Sequence, residues 1–176
     1  MTVPRLTAVS YMVLGLIEAA GEATPYQLKQ VAAKSVGNFW TIQHAQLYSE
    51  PERLAAAGLL DEEREETGRR RRTYRLTGAG RAALDEWRAT PAGDIGELRN
   101  PGLLQLFFGA EKEPLARAQL EAHERTLRDY EELHGSAGAW LPEGQRLALE
   151  AGIAHEREWL RFWREVGGLG ESPSSP

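Results

Sequence analysis

The sequence predicts a mainly α-helical protein with one small β-hairpin, and three observations carry that prediction. Apolar residues recur at helical spacing along most of the 176 residues. Capping and breaking residues cut the chain into a series of helices. Only residues 59–76 show a strand–turn–strand pattern.

Taken in order, Val9, Met12, Val13, Leu16 and Ile17 form one stripe, so residues 7–20 make a helix that stops at Gly21. Thr24-Pro25-Tyr26-Gln27 opens the second helix: Thr24 caps it, Pro25 suits its first position, and Gln27 closes a capping box. This helix ends near Ser35, before Gly37. The third begins around Thr41 and ends before Gly58, where Ala55-Ala56-Ala57 favours helix and Gly58 a left-handed cap. Pro51 lies inside it and removes the hydrogen bond to the Leu47 carbonyl, which predicts a bend or local break. Residues 59–66 and 69–76 form two strands turning at Thr67-Gly68, and Thr77 caps a fourth helix over 78–88. Three helices, a two-stranded β-hairpin wing and another helix describe an N-terminal winged helix-turn-helix, in which the third helix enters the major groove of DNA.

Pro91-Ala92-Gly93-Asp94 starts a hinge over 91–97. A short helix over 103–108 follows Pro101-Gly102. A long one runs from Pro114 to about His134, supported by Glu121–Arg125 and Glu124–Arg128 at four-residue spacing. Gly135-Ser136-Ala137-Gly138 breaks it, and a last helix covers 143–166. The tail, residues 167–176, is rich in Gly, Ser and Pro and is expected to be disordered. Leu149, Ile153, Leu160 and Trp163 form one stripe of the last helix, which Trp159, Phe162 and Val166 widen. A helix apolar over so much of its circumference needs cover from two sides, so a second copy of the chain is expected against it. The domain reading is residues 5–90 for DNA binding and 98–166 for dimerisation. Trp87, Trp140, Trp159 and Trp163, with Phe162, also offer ring faces to a planar ligand; the competing reading of these aromatics is plain packing in core and interface.

The net charge of −5 looks wrong for a nucleic-acid binder until it is divided. Residues 1–90 hold 12 Lys+Arg against 11 Asp+Glu, whereas residues 91–176 hold 9 against 15. The acid therefore sits in the second half and says little about what the first half touches. The bases are 18 Arg and only 3 Lys, so an arginine alone is no evidence of phosphate binding. With no cysteine, disulfides, Cys-zinc sites and thiol catalysis are excluded. The apolar run over 8–17 is too short to span a bilayer and lacks a basic leader and cleavage site, so a cytoplasmic protein without a membrane partner is expected.

The third helix offers Thr41, Gln43, His44, Gln46, Tyr48 and Ser49 in its first turns, the residue types that read base edges and bond phosphates. The wing carries Asp61-Glu62-Glu63-Arg64-Glu65-Glu66 before its turn and Arg69-Arg70-Arg71-Arg72 after it. Cross-strand ion pairs explain both runs, and so does an arginine tip on the phosphate backbone; alternate residues of a strand face opposite ways, so both can hold. His123 and His134, eleven residues apart, lack the spacing and third ligand of a metal site. Gly78-Ala79-Gly80 lacks the third glycine of a dinucleotide site, and no convergent nucleophile and base is present. No enzyme, metal or cofactor is expected.

The stretches Leu14-Gly15-Leu16-Ile17, Tyr26-Gln27-Leu28-Lys29 and Val36-Gly37-Asn38-Phe39-Trp40-Thr41 resemble, in order, the PadR family of transcriptional regulators. So do His44-Ala45-Gln46-Leu47-Tyr48, Arg53-Leu54-Ala55-Ala56-Ala57-Gly58-Leu59 and Tyr74-Arg75-Leu76-Thr77-Gly78-Ala79-Gly80-Arg81. Leu98-Arg99-Asn100-Pro101 and Leu106-Phe107-Phe108-Gly109 are similar to the family's longer-tailed branch, with its C-terminal helical dimerisation domain. The resemblance implies a homodimeric repressor on a two-fold symmetric operator in double-stranded DNA, released by a small aromatic or amphipathic effector. Carried over by position, Tyr26 and Lys29 meet phosphates, while Gln43, His44, Gln46 and Tyr48 face the groove beside the wing arginines. Two residues depart from the family pattern: Pro25 stands where a glycine is common, and Pro51 where many members have leucine. The alternative is a winged-helix module whose C-terminal helices bind a protein or small molecule without specific DNA binding.

Overall fold

A computed structural model describes residues 5–33, 35–38, 40, 42–65, 71–93, 96 and 98–169. The chain divides into two compact units, residues 1–94 and 95–176. The expected wing turn at Thr67-Gly68, the hinge residues 94, 95 and 97, and the tail from 170 lie outside the described residues.

The first unit begins with α1 (Ala8–Ala20), whose cap is reciprocal: the Thr7 side chain accepts from the Ser10 amide, and Ser10 returns the bond to the Thr7 amide. Gly21, at φ 75°, lets the chain turn out of the helix. A two-residue strand, β1 (Glu22–Ala23), leads into α2 (Pro25–Ala33). The Thr24–Gln27 capping box forms as expected, with bonds of 2.9 and 3.3 Å. A 3-10 turn at Val36–Asn38 precedes α3 (Gln46–Ala56).

The third helix thus starts five residues later than Thr41. The amides of Gln46 and Leu47 bond back to the carbonyls of Gln43 and His44 in a tight turn, while the Gln46 side chain takes the Gln43 amide. That turn satisfies locally the groups that an earlier helix start would use. Pro51 does not break α3, which continues through it with the ring fully buried.

The wing consists of β2 (Leu60–Arg64) and β3 (Arg72–Leu76), followed by α4 (Gly78–Ala89), whose cap Thr77 accepts from the Gly80 amide at 3.0 Å. The sheet has three strands rather than the expected two, because β1 pairs with the free edge of β3 and gives the order β1-β3-β2. Both wing strands are also shorter than the reading 59–66 and 69–76. Their register sets Leu60 opposite Leu76 and Glu62 opposite Tyr74. Beneath them lies one core, in which Val13, Leu14 and Ile17 of α1 meet Leu28, Leu47, Leu54, Tyr74 and Leu84. Each such leucine contributes about 1.5–3 kcal/mol by its burial.

In the second unit, α5 (Pro101–Phe107) starts two residues earlier than the reading 103–108, because Asn100 caps it and Pro101 takes the first position. The long helix α6 (Lys112–Ala137) runs through Gly135 and Ser136, where a break is expected, and ends in a 3-10 turn at Gly138–Trp140. The last helix, α7 (Glu143–Gly167), folds back antiparallel on α6. Gly152 meets the Tyr130 ring, Gly167 meets Ala116, and Glu131 pairs with Arg157 at 2.8 Å. This pairing holds the end of α6 helical despite its glycine. Glu121–Arg125 forms at 3.4 Å; Glu124, expected to pair with Arg128, reaches across to Arg164 at 3.6 Å instead. No helix among the described residues is long and apolar enough to cross a membrane.

Candidate nucleic-acid interface

The helix-turn-helix core leaves one side of α3 outside. Leu47, Pro51 and Leu54 point inward, whereas Gln46, Tyr48, Ser49 and Glu52 are exposed. Gln43 and His44 are exposed too, on the turn before the helix. At 11 residues, α3 is about 16 Å long, a size that fits a major groove. On α2, Tyr26 is 60% exposed and its hydroxyl accepts from Gln30 at 2.7 Å, which holds the ring along the helix surface; Lys29 is half-buried. Thr41, Arg69 and Arg70 lie outside the described residues.

The wing arginines that are described are not equivalent. Arg71 is exposed and has no ion pair among the described residues. Arg72 is bonded to Glu52 of α3 and lies 3.6 Å from Glu62 of β2. Glu62 also binds Arg64 along its own strand, and Arg75 pairs with Glu22 of β1 and more loosely with Glu63. Cross-strand pairing is therefore only part of the answer. The register sets Arg64 opposite Arg72, so the acids come from α3, β1 and diagonal positions. Between α3 and the wing lies an open concavity of about 560 Å³, bordered by Glu52, Asp61, Glu62, Arg64 and Arg72. Its wall carries three carboxylates against two guanidiniums and is close to neutral.

Sequence reasoning missed the contact that ties α3 to α1. Arg53 donates twice to Glu50, at 2.6 and 3.0 Å, and once to the buried Ser10 hydroxyl at 3.0 Å. The Arg53 guanidinium, and then Ser10, hold the Glu50 carboxyl below its ordinary range against the opposing effect of burial. Residues 10 and 53 are too far apart in sequence for any local pattern to signal this.

In the second unit the residues expected at a dimer interface separate into two groups. Ile153, Leu160 and Trp163 are already buried within the chain, with Ala116 of α6, so they are its own core and not a surface left for a partner. Leu149, Trp159 and Phe162 remain partly exposed. On α5 and at its C-terminal cap, Leu104, Phe107 and Phe108 are exposed, Phe107 by 82%.

Of the four tryptophans proposed as a ligand platform, Trp87 belongs to the first unit and Trp140, Trp159 and Trp163 to the second. Trp87 stacks on Tyr11 in the first unit, with ring centroids 4.9 Å apart. Trp140 is 88% exposed just before α7, and Trp159 lies about 24 Å further along that helix at 1.5 Å per residue. Trp159 and Trp163 do stack, at 6.3 Å, and His123 lies on the Trp159 ring at 5.7 Å. His123 also contacts the buried Glu156 at 2.5 Å, and His134, which is exposed, lies 3.6 Å from Glu150. Among the described residues no group of three or more His, Asp or Glu could hold a metal ion.

Comparison with known proteins covers both units. Residues 13–86 match the family model described as the transcriptional regulator PadR-like family, and residues 98–168 match the C-terminal region of virulence activator alpha. The negative transcriptional regulator PadR of Bacillus subtilis is 25% identical over 92% of this chain and 96% of its own length. Its crystal structure in complex with operator DNA superposes with a TM-score of 0.82 at 20% identity, over 94% of this chain and 99% of that one. The same regulator in complex with p-coumaric acid gives 0.76 at 20% identity, over 93% and 98%. A PadR-like regulator from Bacillus cereus gives 0.77 at 19% identity, over 92% and 99%. A PadR-like transcriptional-regulator domain over residues 13–86 is thus followed by a virulence-activator-type C-terminal region over residues 98–168.

Proposed function

We propose that this regulator is a homodimeric repressor that reads a two-fold symmetric operator through α3 and leaves it when a small aromatic effector binds. The observation that carries this reading is the outward polar face of α3, with Gln46, Tyr48 and Ser49 exposed on a helix whose other side is locked into the core. Residues 5–90 form the DNA-binding module. Tyr26 and Lys29 bond phosphates; Thr41, Gln43, His44, Gln46 and Tyr48 face the groove; Arg69, Arg70 and Arg71 lie along the backbone. Arg72 joins them only by giving up Glu52.

Residues 98–166 hold the dimer. Leu149, Trp159 and Phe162, with the apolar side of α5, supply surface that a second copy covers. Recognition helices in such a dimer stand about 34 Å apart, one turn of DNA. An effector that prefers another arrangement of the C-terminal helices weakens binding by its difference in affinity for the two. The complexes of Bacillus subtilis PadR with operator DNA and with p-coumaric acid support both halves of this reading. On it, the protein acts by binding rather than by catalysis, in the cytoplasm with the chromosome.

The test is selection from random duplexes at two salt concentrations. Enrichment of a two-fold symmetric motif is expected; weak binding without enrichment at either salt would favour the alternative, a module for a protein or small-molecule partner. The near-neutral groove beside the wing is what favours that alternative. On the enriched site, Gln46→Ala is expected to lose about 1–3 kcal/mol with little change on random DNA. Equal losses on both would remove Gln46 from the base-reading set. Arg71→Ala is expected to lower the salt slope by about 1, the signature of one phosphate contact, and Arg72→Ala by less. Equal slopes for the two would show that the Glu52 pair does not hold Arg72 back.

A further inference from the structure

Pro51 is the sixth residue of α3 and has no amide hydrogen, so the ladder bond to the Leu47 carbonyl is missing. A helix lacking an interior bond bends easily at that point. The candidate base readers Gln46 and Tyr48 lie before the gap, and Leu54, buried in the core, lies after it. Glu50 and Arg53 stand on either side. Arg53 grips both oxygens of Glu50, and the same Nη2 that bonds Oε1 at 2.6 Å bonds Ser10 Oγ at 3.0 Å. Ser10 is itself anchored: it is fully buried, and its hydroxyl accepts the Thr7 amide at 2.8 Å in the cap of α1.

We propose that the Glu50–Arg53–Ser10 clamp sets the direction of the reading half of α3 across the gap left by Pro51, which makes Arg53 a positioning residue for sequence discrimination. The proposal rests on the DNA-binding reading above. Base-edge bonds are directional, and a small change in helix direction loses them; phosphate contacts tolerate such a change. Loosening the clamp therefore weakens the specific complex and spares the non-specific one. A merely structural role would weaken both together, by lowering the folded fraction.

The experiment compares wild type and Arg53→Met on the duplex that wild type enriches and on random duplex, with a thermal melt of each protein. Expected is about a tenfold loss on the enriched duplex, the scale of one bidentate base contact, with random duplex unchanged. Adding Pro51→Ala restores the amide and is expected to recover most of that loss. Equal losses on both duplexes, no loss on either, or a loss that Pro51→Ala leaves in place would overturn the proposal. Arg53→Met strands the mostly buried Glu50 carboxylate, so the pair Glu50→Gln with Arg53→Met carries the same comparison if the single variant does not fold. A wild type that enriches no duplex overturns the DNA-binding reading itself; enrichment with an indifferent Arg53→Met overturns the clamp alone.

Discussion

Trp163→Ala is expected to destabilise the C-terminal unit by about 3–5 kcal/mol, the usual range for a large aromatic removed from a core. The ring is fully buried and packs against Trp159 and Phe162, with centroids 6.3 and 5.1 Å away. Among the described residues of the unit the other buried apolar side chains are Ala116, Ile153 and Leu160, so the change removes the largest part of its core. The indole Nε1 has no hydrogen-bond partner among the described residues, so Trp163→Phe loses packing but no bond and is expected to fall well short of the alanine variant. Urea unfolding followed by circular dichroism checks the order. Sedimentation separates fold from assembly: the partly exposed Trp159, changed to alanine, is expected to weaken association more than it weakens the fold. If Trp163→Ala unfolded at the wild-type midpoint, α7 would not be packed as described.

Gly80→Ala is expected to cost about 2–3 kcal/mol, within the range for overpacking a tight contact. A Cβ at this position would stand 2.1 Å from the Leu59 carbonyl oxygen and 3.0 Å from Leu76 Cδ1. The first obstacle is backbone and cannot rotate away. That same carbonyl accepts the Thr77 amide at 3.2 Å, and the Thr77 hydroxyl donates to Gly58 at 2.8 Å. The first turn of α4 is thus laid directly on the chain leading into the wing, and a methyl group must lever the two apart. For a unit of this size the melting temperature is expected to drop by on the order of 10 °C. Gly15→Ala is the control, since nothing lies within 4 Å of its Cβ in the middle of α1. There alanine is expected to add about 0.5–1 kcal/mol. A harmless Gly80→Ala would falsify the close approach of α4 to the wing.

The parts of the fold that could be read from the sequence are those decided within four residues. The Thr24–Gln27 box and the Thr77 cap are local, and each stands where the pattern put it; the α1 stripe is turned slightly, with Ser10, Val13, Leu14 and Ile17 as its buried residues. What escaped depends on distant partners. β1 has only two residues, and only the edge of β3, some fifty positions on, makes it a strand. α6 passes through Gly135 because α7 lies along it, and neither helix alone carries that information. The candidate interface divides the same way. Its residue types were legible from the polar first turns of α3, but not the partners that restrain them. Glu52 takes Arg72, and Ser10 takes Arg53, through contacts across the tertiary fold.

The Glu52–Arg72 pair has a consequence for a regulator that must work while the cell's water and ion content changes. A free wing arginine arriving at DNA displaces a condensed cation, and each such displacement ties occupancy to ionic strength. Arg72 arrives already neutralised and exchanges one anionic partner for another, so its contact adds little to that dependence. On the DNA-binding reading, an osmotic upshift dislodges this protein from its operator less than it dislodges a regulator with an unpaired basic wing.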